Sequence, residues 1–146
     1  MGEYDKALQK YQASLELDKE FVQTYMLMGD VYIARKEWDR VVDVYREAVE
    51  RDPKFAQGWS AIGYAYSQMG EWEKAIAANK EVLAMAPKDY GTLKNVAILY
   101  NEWGRPTQAL TYAQRALELA PKKEKQTLES FVQGLQARGN ATKGKE

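Results

Sequence analysis

The sequence predicts an all-α protein built from antiparallel helix pairs that repeat along the chain. Three observations point there. First, Pro53, Pro87 and Pro121 are spaced 34 residues apart. Second, laying the chain out at that period brings other residues into columns: Tyr25, Trp59 and Leu93; Gly29, Gly63 and Ala97; Tyr32, Tyr66 and Tyr100; and Ala7, Val41, Ala75 and Ala109. Tyr4, Trp38 and Trp72 form a further column, with Pro106 in the fourth place. A fixed period of this length is the signature of a repeat architecture. Third, the apolar spacing inside each period is helical, since Trp59, Ile62, Gly63 and Tyr66 fall at i, i+3, i+4 and i+7 and so share one helix face.

Each period divides into two helices. After Gly70 a second helical set begins with Trp72, Ala75, Ile76, Asn79, Val82 and Leu83, in which Asn79 is the one polar member. The turn Ala86-Pro87-Lys88-Asp89 then ends the second helix, because proline disfavours helical geometry in the residue before it. Pro106 opens its helix, where a missing N–H does no harm. The glycine column has a packing cause. A helix interior glycine costs about 1 kcal/mol relative to alanine, and at Gly29 and Gly63 close approach of a neighbouring aromatic ring compensates.

Full repeats are expected over 22–55, 56–89 and 90–123. Residues 3–21 match only the second helix of a repeat: Gly2, Tyr4, Ala7 and Tyr11 fit, and Lys19 stands where the proline would be. That beginning in mid-repeat suggests a piece of a longer array or a truncated start. Residues 124–138 place Leu128, Phe131, Val132 and Leu135 at helical spacing without the later columns, the pattern of a capping helix that completes a single array over 1–138. The segment 139–146, GNATKGKE, is polar and glycine-containing and is expected to be a disordered tail.

Composition narrows the function. The chain is 45% hydrophobic and 29% charged, within the range of a globular domain. It has 21 Lys plus Arg against 21 Asp plus Glu, so it lacks the basic excess with which a nucleic-acid binder meets phosphate. Histidine and cysteine are both absent, which removes the commonest general base, the usual metal ligand and every thiolate. No metal cluster, glycine-rich phosphate loop or HExxH motif occurs. The sequence therefore predicts no enzyme, no cofactor and no metal. No apolar run is long enough for a membrane span, and the start has no apolar signal region. The cytoplasm is the compartment implied by default for this segment.

The columns resemble the tetratricopeptide repeat (TPR) family. In the middle repeat its pattern maps onto Trp59, Ile62, Gly63, Tyr66, Ala75, Asn79, Val82 and Pro87. Asn79 and Val82 depart from it, whereas Tyr45 and Ala48 keep the equivalent places in the first repeat. The resemblance implies helix pairs stacked in a right-handed superhelix, the first helix of each repeat lining a concave face. Positions there not taken by the columns are Gln23, Met26, Asp30 and Ile33; then Gln57, Ser60, Tyr64 and Ser67; then Lys94, Asn95, Ile98, Asn101 and Glu102.

The function implied is a scaffold binding a peptide or protein segment in that groove, with Tyr64 the favoured anchor because aromatic residues dominate interface energetics. Chaperone-binding members hold a C-terminal carboxylate through lysine, asparagine and arginine. The matching positions here are Met26, Asp30, Ala61, Gly91 and Asn95, which supply no cation. Two alternatives remain: a self-assembling module that oligomerises through residues 3–17, and a docking or regulatory segment of a larger protein.

Overall fold

The computed structural model describes residues 2–17 and 22–143. These form eight helices and no strand: α1 (Glu3–Leu17), α2 (Val22–Ala34), α3 (Trp38–Arg51), α4 (Ala56–Gln68), α5 (Trp72–Met85), α6 (Tyr90–Glu102), α7 (Pro106–Leu119) and α8 (Lys122–Lys143). The chain divides into two compact units, Met1–Ala78 and Asn79–Glu146, with the boundary inside α5.

One turn chemistry joins the two helices of every pair. The first helix ends on a residue with positive φ: Lys36 at 56°, Gly70 at 73° and Gly104 at 72°, each 34 residues from the next. Around it the N–H of Lys36 donates to Ile33 O at 2.9 Å and that of Glu37 to Tyr32 O at 3.0 Å. Gly70 and Glu71 repeat this with Ser67 and Tyr66, and Gly104 and Arg105 with Asn101 and Tyr100. This is a Schellman ending, which satisfies carbonyls that a helix terminus would leave open. Glycine reaches the left-handed region without cost, whereas Lys36 does so against its Cβ.

In the first unit the core gathers Tyr25, Tyr32, Val41, Val42, Tyr45, Ala48, Val49, Phe55, Ile62, Ala65 and Ala78. Gly29 gives this core its shape. A Cβ built there would lie 2.5 Å from Cζ and 2.7 Å from Oη of Tyr45, whose ring rests directly on the α2 backbone. The Tyr45 hydroxyl reaches the Met26 carbonyl at 3.4 Å. One and two periods further on, the same two places hold Gly63 with Asn79 and Ala97 with Ala113. As the second-helix side chain shrinks from tyrosine to alanine, the first-helix position regains its methyl group. Asn79, the polar member of its column, is buried.

In the second unit Leu93, Val96, Ala97, Leu99, Ala109, Ala113, Ala116, Leu128, Val132 and Leu135 are buried. Asp89 caps α6, its carboxylate accepting from Thr92 N at 2.7 Å. This satisfies one of the amides left over at a helix start.

One expectation about the termini needs revision. The tail expected from 139 onward is instead helical through 143, because α8 runs on to Lys143. No proline interrupts it, and a helix already formed adds residues at little cost, so Gly139 and Asn140 do not end it. Residues 144–146 lie outside the described residues, as do 18–21, the end of the half repeat.

Candidate protein-binding surface

In the first unit, Gln23, Asp30, Gln57, Ser60 and Tyr64 are exposed, and Met26, Ile33 and Ser67 are half-buried. Met26 and Ile33 pack against the core and so present only part of their surface. Tyr64 is different. It is 48% exposed and meets the Trp38 ring edge-on at 5.6 Å and 88°. A large ring fixed by a second ring loses little freedom when a partner covers it. The Ser67 hydroxyl is used locally, donating to the Tyr64 carbonyl at 2.6 Å.

In the second unit, Asn95, Ile98 and Glu102 are exposed, with Ile98 at 42%. Lys94, one of the groove positions, is already engaged. Its ammonium pairs with Glu124 at 2.6 Å and lies 5.2 Å from the centroid of the Tyr90 ring. The Tyr90 hydroxyl donates to the same carboxylate oxygen at 2.8 Å. Hydrogen bonds from Lys94 and Tyr90 hold the Glu124 carboxyl below its ordinary range. Asn101 is half-buried, and its Oδ1 is a buried acceptor with no hydrogen-bond partner among the described residues. A buried acceptor without a donor costs free energy.

Sequence reasoning missed several features of this surface. The repeat columns give Trp38 a packing position alone, yet it braces Tyr64. Glu124 lay in the capping helix, with no period to mark it as the partner of Lys94. A cleft of about 640 Å³ in the first unit is lined by Asp5, Leu8, Tyr32, Arg35, Trp38 and Met69, among others. Its charges neutralise one another: Arg35 bridges Asp5 at 2.9 Å and Glu37 at 2.6 Å, and Arg40 reaches Glu37 at 3.4 Å. Tyr25, buried in the same unit, donates to Glu47 Oε1 at 2.7 Å. Burial first, and that carboxylate second, push its phenol up to about 12.

No group of three or more carboxylates among the described residues could hold a metal ion. No helix of the described residues is long and apolar enough to cross a membrane.

Comparison with known proteins places this arrangement in a family. A model described as "Tetratricopeptide repeat" matches residues 56–122, and one described as "TPR repeat" matches 29–70. The chain is a tetratricopeptide-repeat protein, and as such a protein-interaction scaffold in the general sense.

Solved structures share the fold. A crystal structure of MamA superposes with a TM-score of 0.73 at 22% identity, over 86% of this chain and 68% of that one. A MamA fragment, 41-end, from Desulfovibrio magneticus RS-1 gives a TM-score of 0.78 at 17% identity, over 98% and 80%. The MamA RS-1 ArsTM double mutant gives 0.79 at 16% identity, over 97% and 78%. Identities this low establish the helical repeat fold alone. The curated proteins contain no match.

Proposed function

We propose that the chain binds an extended segment of another protein through the first helices of its repeats. The surface would comprise Met26, Ile33 and Tyr64 with their polar neighbours in the first unit, and Asn95, Ile98 and Asn101 in the second. One observation carries this reading: Tyr64, left over when the repeat columns are assigned to packing, is nearly half exposed and held by Trp38. Rigid aromatic anchors flanked by amides and hydroxyls suit a peptide, whose side chains seek apolar contacts and whose backbone seeks hydrogen bonds. The test is selection from a displayed peptide library against the chain, followed by titration of an enriched peptide. Tyr64→Ala is expected to weaken that peptide by about thirtyfold, the equivalent of about 2 kcal/mol. Enriched peptides that bind Tyr64→Ala and Ile98→Ala as tightly as the unaltered chain would exclude the surface.

A second reading, assembly of the chain with itself through residues 3–17, is favoured by α1. That helix has no buried residue, Tyr4 is 52% exposed and Leu17 is 91% exposed. Apolar side chains left uncovered on one helix seek a partner. Sedimentation of the chain and of Tyr4→Glu across a concentration series decides it. A shared monomer at all concentrations removes the reading, and association lost in the variant supports it.

A further inference from the structure

The second unit carries a feature that the first-helix positions do not use. Tyr100 stacks with Trp103 at 6.3 Å and 19°, and with Tyr112 at 5.6 Å and 25°. Each ring of this ladder holds a cation. Lys80 lies 5.7 Å from the centroid of Tyr100, Arg105 5.0 Å from that of Trp103 and Arg115 5.4 Å from that of Tyr112. Tyr100 and Trp103 each follow a candidate groove residue, Ile98 and Asn101, by two positions. Tyr100 is therefore about 200° further around α6, on its other side, and Trp103 caps the end of that helix.

The three cations also differ from the ion-paired ones. Arg35, Arg40, Arg51, Lys74 and Lys94 are all ion-paired. Among the described residues Lys80, Arg105 and Arg115 have no carboxylate within 4.0 Å, and all three are exposed. One Arg115 nitrogen donates to the Pro87 carbonyl at 3.2 Å, which fixes the side chain without neutralising it. Charge is also uneven along the sequence. Residues 79–146 hold 11 Lys and Arg against 7 Asp and Glu, a net +4, whereas residues 1–78 hold 10 against 14, a net −4.

We propose that this ladder is a docking surface for an acidic, extended segment of a partner protein. Its carboxylates would be received by the Arg105 and Arg115 guanidinium groups and the Lys80 ammonium. A guanidinium lying over a ring keeps its N–H edges free, and those edges form the fork that matches a carboxylate. The rings hold the cations in place beforehand, which lowers the ordering cost of binding. Ten residues separate the two arginines, about 15 Å along a helix, the span of four or five residues of extended chain. Nucleic acid fits less well. Single strands bind by stacking bases on open aromatic faces, and here those faces are occupied by one another and by the cations.

The test is fluorescence anisotropy of the whole chain with a labelled, end-blocked hexapeptide of alternating glutamate and aspartate. It is run in about 50 mM salt, where screening is weak. Saturable binding is expected, weakening about tenfold for each of Arg105→Gln and Arg115→Gln, the scale of one charge-assisted bond. Lys123→Gln, a cation of the same unit off the ladder, is expected to change it by less than about twofold. The proposal does not rest on the first-helix reading. Thermal melts of each single variant confirm that the fold is retained. The proposal is overturned by no saturable binding, by equal binding of the glutamine–asparagine hexapeptide, or by an equal loss with Lys123→Gln. Tighter binding of an oligothymidylate than of the acidic peptide would also overturn it.

Discussion

Replacing Gly29 by alanine would place a methyl group inside the space held by the Tyr45 ring, 2.5 Å from its Cζ. The ring cannot swing clear, because Tyr45 is 4% exposed and sits within the core of the first unit. Overpacking of this kind costs about 1–3 kcal/mol, while exchanging glycine for alanine in a helix returns about 1 kcal/mol. The net expectation is a destabilisation of about 0–2 kcal/mol. Tyr45→Ala alone leaves a cavity and costs about 3–5 kcal/mol, as for other large aromatic truncations.

In the Tyr45→Ala background the clash is gone, so Gly29→Ala should become neutral or stabilise by up to about 1 kcal/mol. The coupling between the two sites is thus about 1–3 kcal/mol, the overpacking term itself. The third repeat already carries the compensated pair, Ala97 with Ala113. Urea unfolding of the four proteins, followed by circular dichroism, measures the cycle. An equal cost for Gly29→Ala in both backgrounds would refute the packing argument.

Three further outcomes follow from the geometry. Lys36→Gly, at the position glycine holds in the next two turns, should stabilise the chain by about 0.5–1 kcal/mol, read as a raised urea midpoint. Glu124→Gln should weaken the contact between α6 and α8 at neutral pH. The folded carboxyl titrates below its unfolded range, so its contribution is present above about pH 4.5 and fades as pH falls through the folded value; melts of variant and parent converge at acid pH. Tyr25 and Tyr45 titrate near 12, above their ordinary 10, through burial first and then the nearby Glu47 and Asp30 charges. Their stabilisation is complete below pH 10 and is lost as pH rises towards 12, a loss that Tyr25→Phe should reduce in alkaline melts.

The fold was legible because the repeat wrote it several times. Columns of tyrosine, glycine, alanine and proline separated helix-packing positions from the rest, and the close approach expected at Gly29 is where Tyr45 sits. The turns were less legible. Lys36 occupies the same left-handed position as Gly70 and Gly104 without the residue type that announces it. The end of α8 was misplaced because composition suggested a tail, while helix propagation and the absence of proline extend it. At the surface, periodicity identified which first-helix positions packing left unassigned, and Tyr64 and Ile98 are exposed there. It could not show that Lys94 is engaged by Glu124 or that Trp38 braces Tyr64, since both contacts join residues outside one helix face. The stacking of Tyr100 on Tyr112 joins two helices in the same way.

Hydrogen–deuterium exchange of the chain with and without a selected peptide tests the central proposal most directly. Protection over 23–33, 57–67 and 94–102, lost in Tyr64→Ala, is the result this account predicts. Protection confined to residues 3–17, or none on any first helix, would contradict it.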